Sequence, residues 1–377
     1  MDNIFKKHVI ANELIVNQED WSNMVHLYSQ EFIIQEISDA IVLFNINLPY
    51  RDLILANVKD EYLALKNLTE TELFKHGKWL NKFNYKYSFL DHYIDLSNVG
   101  NKASDYFHQV ERWKCDATGY PSPQKTWETE RFRLTLFKAL FSLKVKEINP
   151  TVLRNLISLR KYIAAQFRPS AAKTIYDIYK PETVLDFSMG WGDRLLGAHA
   201  SHYVKRYVGI DPNINLFEGY RKQIRTYDSI WGKIKDINPI CGRAEDENLR
   251  FDGQYDKFDM IFTSPPYFDK EKYDQSEQQS YKMYHGFDSW MKDFLFKSIE
   301  LRSENLKSGG HLIINISDIY TRKKLYPICD GMNDFIASTG LYDYVGAIGL
   351  RMPKRPMSIS SDTVGVFGEP VWIWKKK

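Results

Sequence analysis

The stretch Thr183-Val184-Leu185-Asp186-Phe187-Ser188-Met189-Gly190-Trp191-Gly192-Asp193, with Leu195 to Ala200 behind it, decides the fold. A short apolar run ends in a carboxylate. Two glycines follow, one residue apart, and then a run with helical apolar spacing. The pattern predicts a strand turning into a helix through a loop whose glycines can take positive φ and let a ligand approach the backbone. About 20 residues on, Arg206-Tyr207-Val208-Gly209-Ile210-Asp211 predicts a second strand that again ends in an acid, placed to accept the hydroxyls of a ribose. The third glycine of a dinucleotide fingerprint is missing, with Leu195 in its place, and no Walker loop occurs. A nucleoside without phosphates fits this loop better than a dinucleotide.

Further along, Phe258 to Phe262 and His311 to Ile316 predict two more strands. A helix from about Asp288 to Lys307 precedes the second of them, and Gly309-Gly310 is expected to end that helix. Strands alternating with helices mean an α/β, Rossmann-like fold with a parallel sheet. Tyr342–Leu350 and Thr363–Trp374 have no helix between them and predict an antiparallel C-terminal pair at one edge. Upstream, residues 1–165 read as mainly helical. Phe132, Leu136, Phe137, Leu140 and Phe141 mark one helix over Trp127–Lys146. Asn149-Pro150 breaks it, and Thr151 can cap the next, which runs to about Gln166. The division expected is 1–165, a mainly helical region, and 166–377, the sheet domain.

Composition sets outer bounds. Among 377 residues, 51 Lys and Arg face 48 Asp and Glu, a net charge of +3 that permits a nucleic-acid partner without requiring one. Tyr (24) and Phe (22) are abundant enough to furnish both cores and stacking surfaces. Cys115, Cys241 and Cys329 stand too far apart for a disulfide framework, so a cytoplasmic or other reducing compartment is expected. The histidines show no metal-ligand spacing, and no metal is expected. No apolar run is long enough for a membrane span, and the first residues lack the apolar core of a secretory signal, so a non-secreted protein is expected.

The most specific stretch is Asp259-Met260-Ile261-Phe262-Thr263-Ser264-Pro265-Pro266-Tyr267. Two prolines end the ladder and hold the chain extended, with a hydroxyl before them and an aromatic ring after. On this motif, the Gly-x-Gly turn and the acidic strand end, residues 167–374 resemble the S-adenosylmethionine-dependent methyltransferases that modify exocyclic amines of DNA bases. The Ser form resembles the N4-cytosine branch more than the N6-adenine branch. The resemblance implies a class I methyltransferase fold, S-adenosyl-L-methionine as cofactor, and DNA as partner. An exocyclic amine is a poor nucleophile because its lone pair is delocalised into the ring. The Ser264 hydroxyl and the Pro265 carbonyl would hold its hydrogens, with Pro266 fixing the turn, and Tyr267 would stack on a flipped-out base. A C5-cytosine enzyme would need a nucleophilic cysteine after a proline, and the sequence has no Pro-Cys pair.

The resemblance carries cofactor roles to Phe167, Arg168, Pro169 and Ser170, to Asp186, Ser188, Met189, Gly190 and Gly192, to Asp211 and Pro212, to Ala244, Glu245 and Asp246, and to Thr263. The family's usual Gly-Asp is Gly242-Arg243 here, so Glu245 or Asp246 must hold the adenine amine. Ser188 stands where Phe is common. Lys270 and Lys272, in the aromatic-rich stretch 267–287, and Arg351, Lys354 and Arg355 are the expected nucleic-acid contacts. Adenine N6 methylation, an RNA base amine, and a non-catalytic nucleic-acid-binding subunit are the alternatives. The oligomeric state and the target sequence stay open.

Overall fold

Apolar runs become strands, and the strands share one sheet. In the computed structural model, which describes residues 3–160, 163–249, 257–274, 276–321, 323–353 and 365–377, these are β1 (Phe74–His76), β2 (Phe89–Ile94), β3 (Thr183–Asp186), β4 (Arg206–Asp211), β5 (Asp236–Cys241), β6 (Phe258–Thr263), β7 (Leu306–Asn315), β8 (Tyr342–Arg351) and β9 (Val366–Lys376). Their spatial order is β1-β2-β8-β9-β7-β6-β3-β4-β5. From β7 through β5 every pairing is parallel. β9 runs antiparallel between β7 and β8. β4 is buried along its whole length, as a strand covered on both faces must be. Helices α1 (Pro169–Tyr179), α2 (Asp193–Ala200), α3 (Phe217–Trp231) and α4 (Ile328–Ser338) belong to the same unit. Leu185, Val208, Ile210, Ile261, Leu312, Ile314, Trp290 and Trp372 lie in its core. The architecture is the expected α/β, Rossmann-like sheet with an antiparallel C-terminal pair.

Two expectations about this sheet are corrected. The β8–β9 pair is not an edge, because β2 pairs parallel with β8 and β1 pairs antiparallel with β2. Trp79 locks this extension. Its ring stacks on Phe89 at 4.1 Å and lies where a Cβ on Gly349 or Gly368 would come within 2.6 and 2.9 Å of it. The second correction concerns Gly309-Gly310, which does not cap a helix. The helical run ends at Ser303, and both glycines sit inside β7, where the register with β6 jumps from Phe258↔Leu306 to Met260↔His311. The extra residues form a bulge, which favours glycine.

The chain divides into two units. The first holds Met1–Leu53, Gln109–Ala165 and Lys272–Asp274, and the second Ile54–His108, Gln166–Glu271 and Gln275–Lys377. A boundary thus falls at 165/166, while residues 54–108 go with the sheet. The first unit is helical. Gln18–Leu27, Gln30–Leu43, Glu130–Ser142 and Pro150–Arg160 enclose a core that includes Trp21, Ile33, Ile37, Phe137, Leu140 and Ile157. The helix expected over 127–146 is shorter, at Glu130–Ser142. Asn149, not Thr151, caps the next helix, its Oδ1 accepting the Val152 N–H at 2.9 Å, with Pro150 as first helical residue.

Candidate functional site

Because β3 to β7 are parallel, their C-terminal ends share one edge, where open α/β sheets bind ligands. Asp186, Asp211, Cys241, Thr263 and Asn315 end these strands. β9 runs the other way, so its beginning, with Glu369 and Pro370, reaches the same edge.

The β3–α2 loop is built around a buried ion pair. Arg194 Nε donates to Asp186 Oδ2 at 2.7 Å, and the Tyr207 hydroxyl donates to the same oxygen at 2.7 Å. Arg194 also donates to the Ser188 carbonyl. Burial disfavours the Arg194 charge, but Asp186 more than restores it and holds the guanidinium pKa above its ordinary value. Asp186 is fully buried and shapes the loop from behind rather than lining it. The two glycines do different work. Gly192 (φ 72°) has the Gln223 amide 2.3 Å from where a Cβ would stand, whereas Gly190 (φ 57°) has nothing nearer than 3.9 Å. Gly192 is needed by the packing, and Gly190 leaves open space. Its N–H donates to Asp211 Oδ2 at 2.9 Å, and the Asn213 N–H donates to Oδ1 at 2.9 Å. Two backbone donors from different loops therefore fix the Asp211 carboxylate. Met189 is buried, its N–H bonded to the Ile210 carbonyl at 3.0 Å, and Pro212 is half-buried beside Asp211.

After β5, Ala244 and Glu245 are buried and Asp246 is half-buried. The Tyr284 hydroxyl donates to Glu245 Oε1 at 2.9 Å, and burial raises the Glu245 carboxyl above the ordinary carboxylate range. Asp246 Oδ1 instead accepts the Asn248 N–H at 2.9 Å and closes a turn. Ahead of β3, the Phe167 ring meets Phe262 at 5.5 Å, with the Arg194 guanidinium 5.2 Å from the Phe167 ring centre. Pro169 and Ser170 are buried at the start of α1. Arg168 Nη2 donates to the Arg351 carbonyl at 2.6 Å, while its buried Nη1 has no partner among the described residues. Burial lowers the Arg168 pKa to about 10, so the side chain stays charged. The buried Thr263 hydroxyl at the end of β6 is likewise without a partner among the described residues.

The Ser-Pro-Pro-Tyr turn leaves β6 between these groups and β9. The Ser264 hydroxyl donates to Asn315 Oδ1 at 3.4 Å, and Asn315 Nδ2 donates to the Pro370 carbonyl at 3.0 Å. The second bond fixes which end of the amide faces Ser264. At the other end of the turn, the Tyr267 hydroxyl donates to Glu369 Oε1 at 2.7 Å. Burial first, and then the Glu369 charge, hold the phenol pKa well above its ordinary value, so it stays a donor. Pro265 is buried and Pro266 half-buried. Two consecutive residues of β9 thus brace the turn at both ends.

Sequence reading missed Arg194, Tyr207, Asn315 and Glu369. The first could have been suspected as a lone basic residue in an apolar helix, but the other three have no local signal. Of the expected nucleic-acid contacts, Lys270 is exposed, its ammonium 5.0 Å from the Tyr267 ring centre. Lys272 falls in the first unit, and Arg351 is paired with Asp95 at 2.6 Å. Lys354 and Arg355 lie outside the described residues. Among the described residues no group of three or more His, Cys, Asp or Glu could hold a metal ion, and no helix is long and apolar enough to cross a membrane.

The family model described as DNA methylase matches residues 258–364, which take in β6 and the Ser-Pro-Pro-Tyr turn. A search of curated proteins finds no match. Among solved structures, TehB from Haemophilus influenzae is similar with 12% identity and a TM-score of 0.35, over 59% of this chain and 66% of that one. TrmN from Thermus thermophilus is similar with 13% identity and a TM-score of 0.37, over 62% and 55%. The N-methyltransferase NodS from Bradyrhizobium japonicum, in complex with S-adenosyl-L-homocysteine, is similar with 11% identity and a TM-score of 0.31, over 52% and 78%. The strand order, rather than these partial overlaps, defines the fold.

Proposed function

We propose that this protein, whose residues 258–364 match the family model described as DNA methylase, transfers a methyl group from S-adenosyl-L-methionine to the exocyclic amine of a DNA base, with cytosine N4 the leading target and adenine N6 the second. The observation that carries the reading is the shared sheet edge. The Ser264 turn leaves β6, the strand next to β3 with its Gly-x-Gly loop, and Asp211 ends the strand beyond.

The residues present fit the cofactor. Open space beside Gly190 gives room for it, Asp211 is oriented to accept from a ribose, and the unpartnered Arg168 Nη1 would take a carboxylate. Glu245 rather than Asp246 would hold the adenine amine, since it is buried and aimed by Tyr284 while Asp246 closes a turn. S-adenosyl-L-methionine supplies an electrophilic methyl group on a sulfonium. The chain does the aligning. Ser264, its own hydrogen donated to Asn315, offers its oxygen to one amine hydrogen, and the Pro265 carbonyl accepts the other. The nitrogen is drawn towards sp3 and its lone pair is released for in-line attack. Tyr267, steadied by Glu369, stacks on the base. The N–CH3 bond forms, the S–CH3 bond breaks, and the proton lost from nitrogen passes to solvent. Ser264 rather than Asp supports cytosine N4. The first unit, in this reading, recognises DNA or dimerises.

The test uses labelled S-adenosyl-L-methionine with unmodified DNA and, separately, RNA, followed by digestion to nucleosides and mass identification. N4-methyl-2′-deoxycytidine from DNA is expected. N6-methyladenine would move the target, label in RNA alone would replace DNA, and no label in either would leave a silent binding subunit.

A further inference from the structure

We propose that the paired strands Ile319–Thr321 and Lys324–Tyr326 grip the DNA beside the target base, with Tyr320 and Leu325 packing on a base step and Lys323 and Lys324 taking nearby phosphates. The inference rests on the DNA-methyltransferase reading and adds a substrate surface that the sequence motifs do not mark.

The hairpin leaves the C-terminal end of β7, so it stands on the edge that carries the Ser264 turn. Its strands pair as Ile319↔Tyr326, Tyr320↔Leu325 and Thr321↔Lys324. Side chains alternate across such a ribbon, and the two faces differ sharply here. One face is anchored. Ile319 is buried, and the Tyr326 ring meets Phe268 and Phe287, each at 5.3 Å. Phe268 is the residue after Tyr267, so the hairpin is seated directly behind the stacking residue of the turn. The other face holds Tyr320, 60% exposed, and Leu325, 44% exposed, opposite each other in register. Isolated apolar residues on a surface need no explanation. A tyrosine and a leucine paired across a stiff, anchored ribbon form a flat apolar platform of the kind that stacks on bases or wedges between them.

The lysines give the platform its partner. Lys323 sits at the turn with φ 62°, a left-handed conformation that Gly or Asn takes far more easily. A cation is kept at the tip at a cost in backbone strain. The Lys324 ammonium lies 5.0 Å from the Tyr326 ring centre. Nearby acids are engaged elsewhere. Asp318 accepts the Cys329 N–H, and Asp330 accepts the Lys86 N–H. Lys323 is thus at the tip and Lys324 on the anchored face beside Tyr326, and among the described residues no ion pair holds either; an apolar platform with cations at its tip and behind it matches a polyanion with stacked rings.

The test measures binding of a mixed-sequence DNA duplex by fluorescence anisotropy across a salt series, with the cofactor affinity of each variant as a control on folding. The double variant Lys323→Ala/Lys324→Ala should lower the slope of log affinity against log salt by about 2, since each phosphate contact contributes about 0.9. Tyr320→Ala should weaken binding about five- to a hundredfold with the salt slope unchanged. S-adenosyl-L-methionine affinity should stay within twofold of wild type in both. Wild-type slope and affinity in both variants would overturn the hairpin's role while leaving the methyltransferase reading intact. Should Tyr320→Ala fail to fold, the lysine variant decides alone. The same series on RNA separates the partners: losses confined to RNA would overturn DNA as the occupant. Wild-type protein that binds no nucleic acid would instead sink the reading beneath.

Discussion

Asn315 decides what Ser264 can do. A hydroxyl both donates and accepts, and catalysis of the proposed kind needs it to accept. Asn315, its amide fixed by the Pro370 carbonyl, turns its oxygen to Ser264 and takes the donor away. At 3.4 Å this contact is longer than a settled O–H···O bond, and such contacts commonly tighten when substrate arrives. Asn315→Ala should therefore lower kcat about 5–30-fold while cofactor affinity holds. The sharper measurement is a double-mutant cycle. If Asn315 acts through Ser264, Ser264→Ala/Asn315→Ala should be no slower than Ser264→Ala, a coupling of about 1 kcal/mol or more. Additive losses would mean that the two side chains act separately. Nothing in the sequence around Asn315 marks it, because its role exists only once β7 lies between β6 and β9.

Among the elements, α3 holds the β3–α2 loop through Gln223. The Gln223 amide nitrogen donates to the Gly192 carbonyl at 3.0 Å and to the Tyr227 hydroxyl at 3.1 Å, so its oxygen is left to accept from His108 Nε2 at 3.0 Å. His108 thus donates from Nε2, and because burial lowers its pKa to about 4 the ring is neutral near pH 7. His199, bonded to Tyr62 and Asp228, is likewise lowered by burial to about 4. A folded-state pKa below the ordinary 6.5 means that the unfolded chain takes the proton first. The contribution is complete above about pH 6.5 and is lost as pH falls towards about 4, at about 1.4 kcal/mol per pH unit per histidine. Urea unfolding of His108→Gln between pH 4.5 and 6.5 should show a pH slope shallower than wild type by about that amount. Equal slopes would mean that His108 charges freely in the fold. Sequence made this sheet edge legible because strand-ending acids, the Gly-x-Gly turn and Ser-Pro-Pro-Tyr are each contiguous. It hid the props behind them. Gln223 and His108 come from helices that carry no motif, and β1 and β2 are short strands inside a stretch without clear alternation. Gly309-Gly310 misled for the opposite reason, since glycines after a helical run usually cap it, and here they form a bulge.

For the molecule as a whole, residues 74–94 are part of the sheet rather than an appendage to it. They cover β8, and Tyr85 and Phe89 pack on Trp372 while Tyr87 packs on Trp374. A chain trimmed to residues 166–377 keeps every motif yet leaves that edge and those tryptophans uncovered. It should show no cooperative urea transition and weak near-ultraviolet circular dichroism. A sharp transition close to that of the full chain would show the two strands to be dispensable.

The strand order also imposes a schedule. β2 is made early, but its partner β8 begins 342 − 94 = 248 residues later. At roughly 5–20 residues per second, that is a wait of about 12–50 s during synthesis. The last strand of this sheet in chain order, β9, slots into its interior between β7 and β8, and it brings Glu369 and Pro370 to the turn. While translation is under way, the early strand must be shielded from other chains, and the turn has nothing to brace it. The brace of the turn is thus delivered only after every other strand of the sheet has been translated.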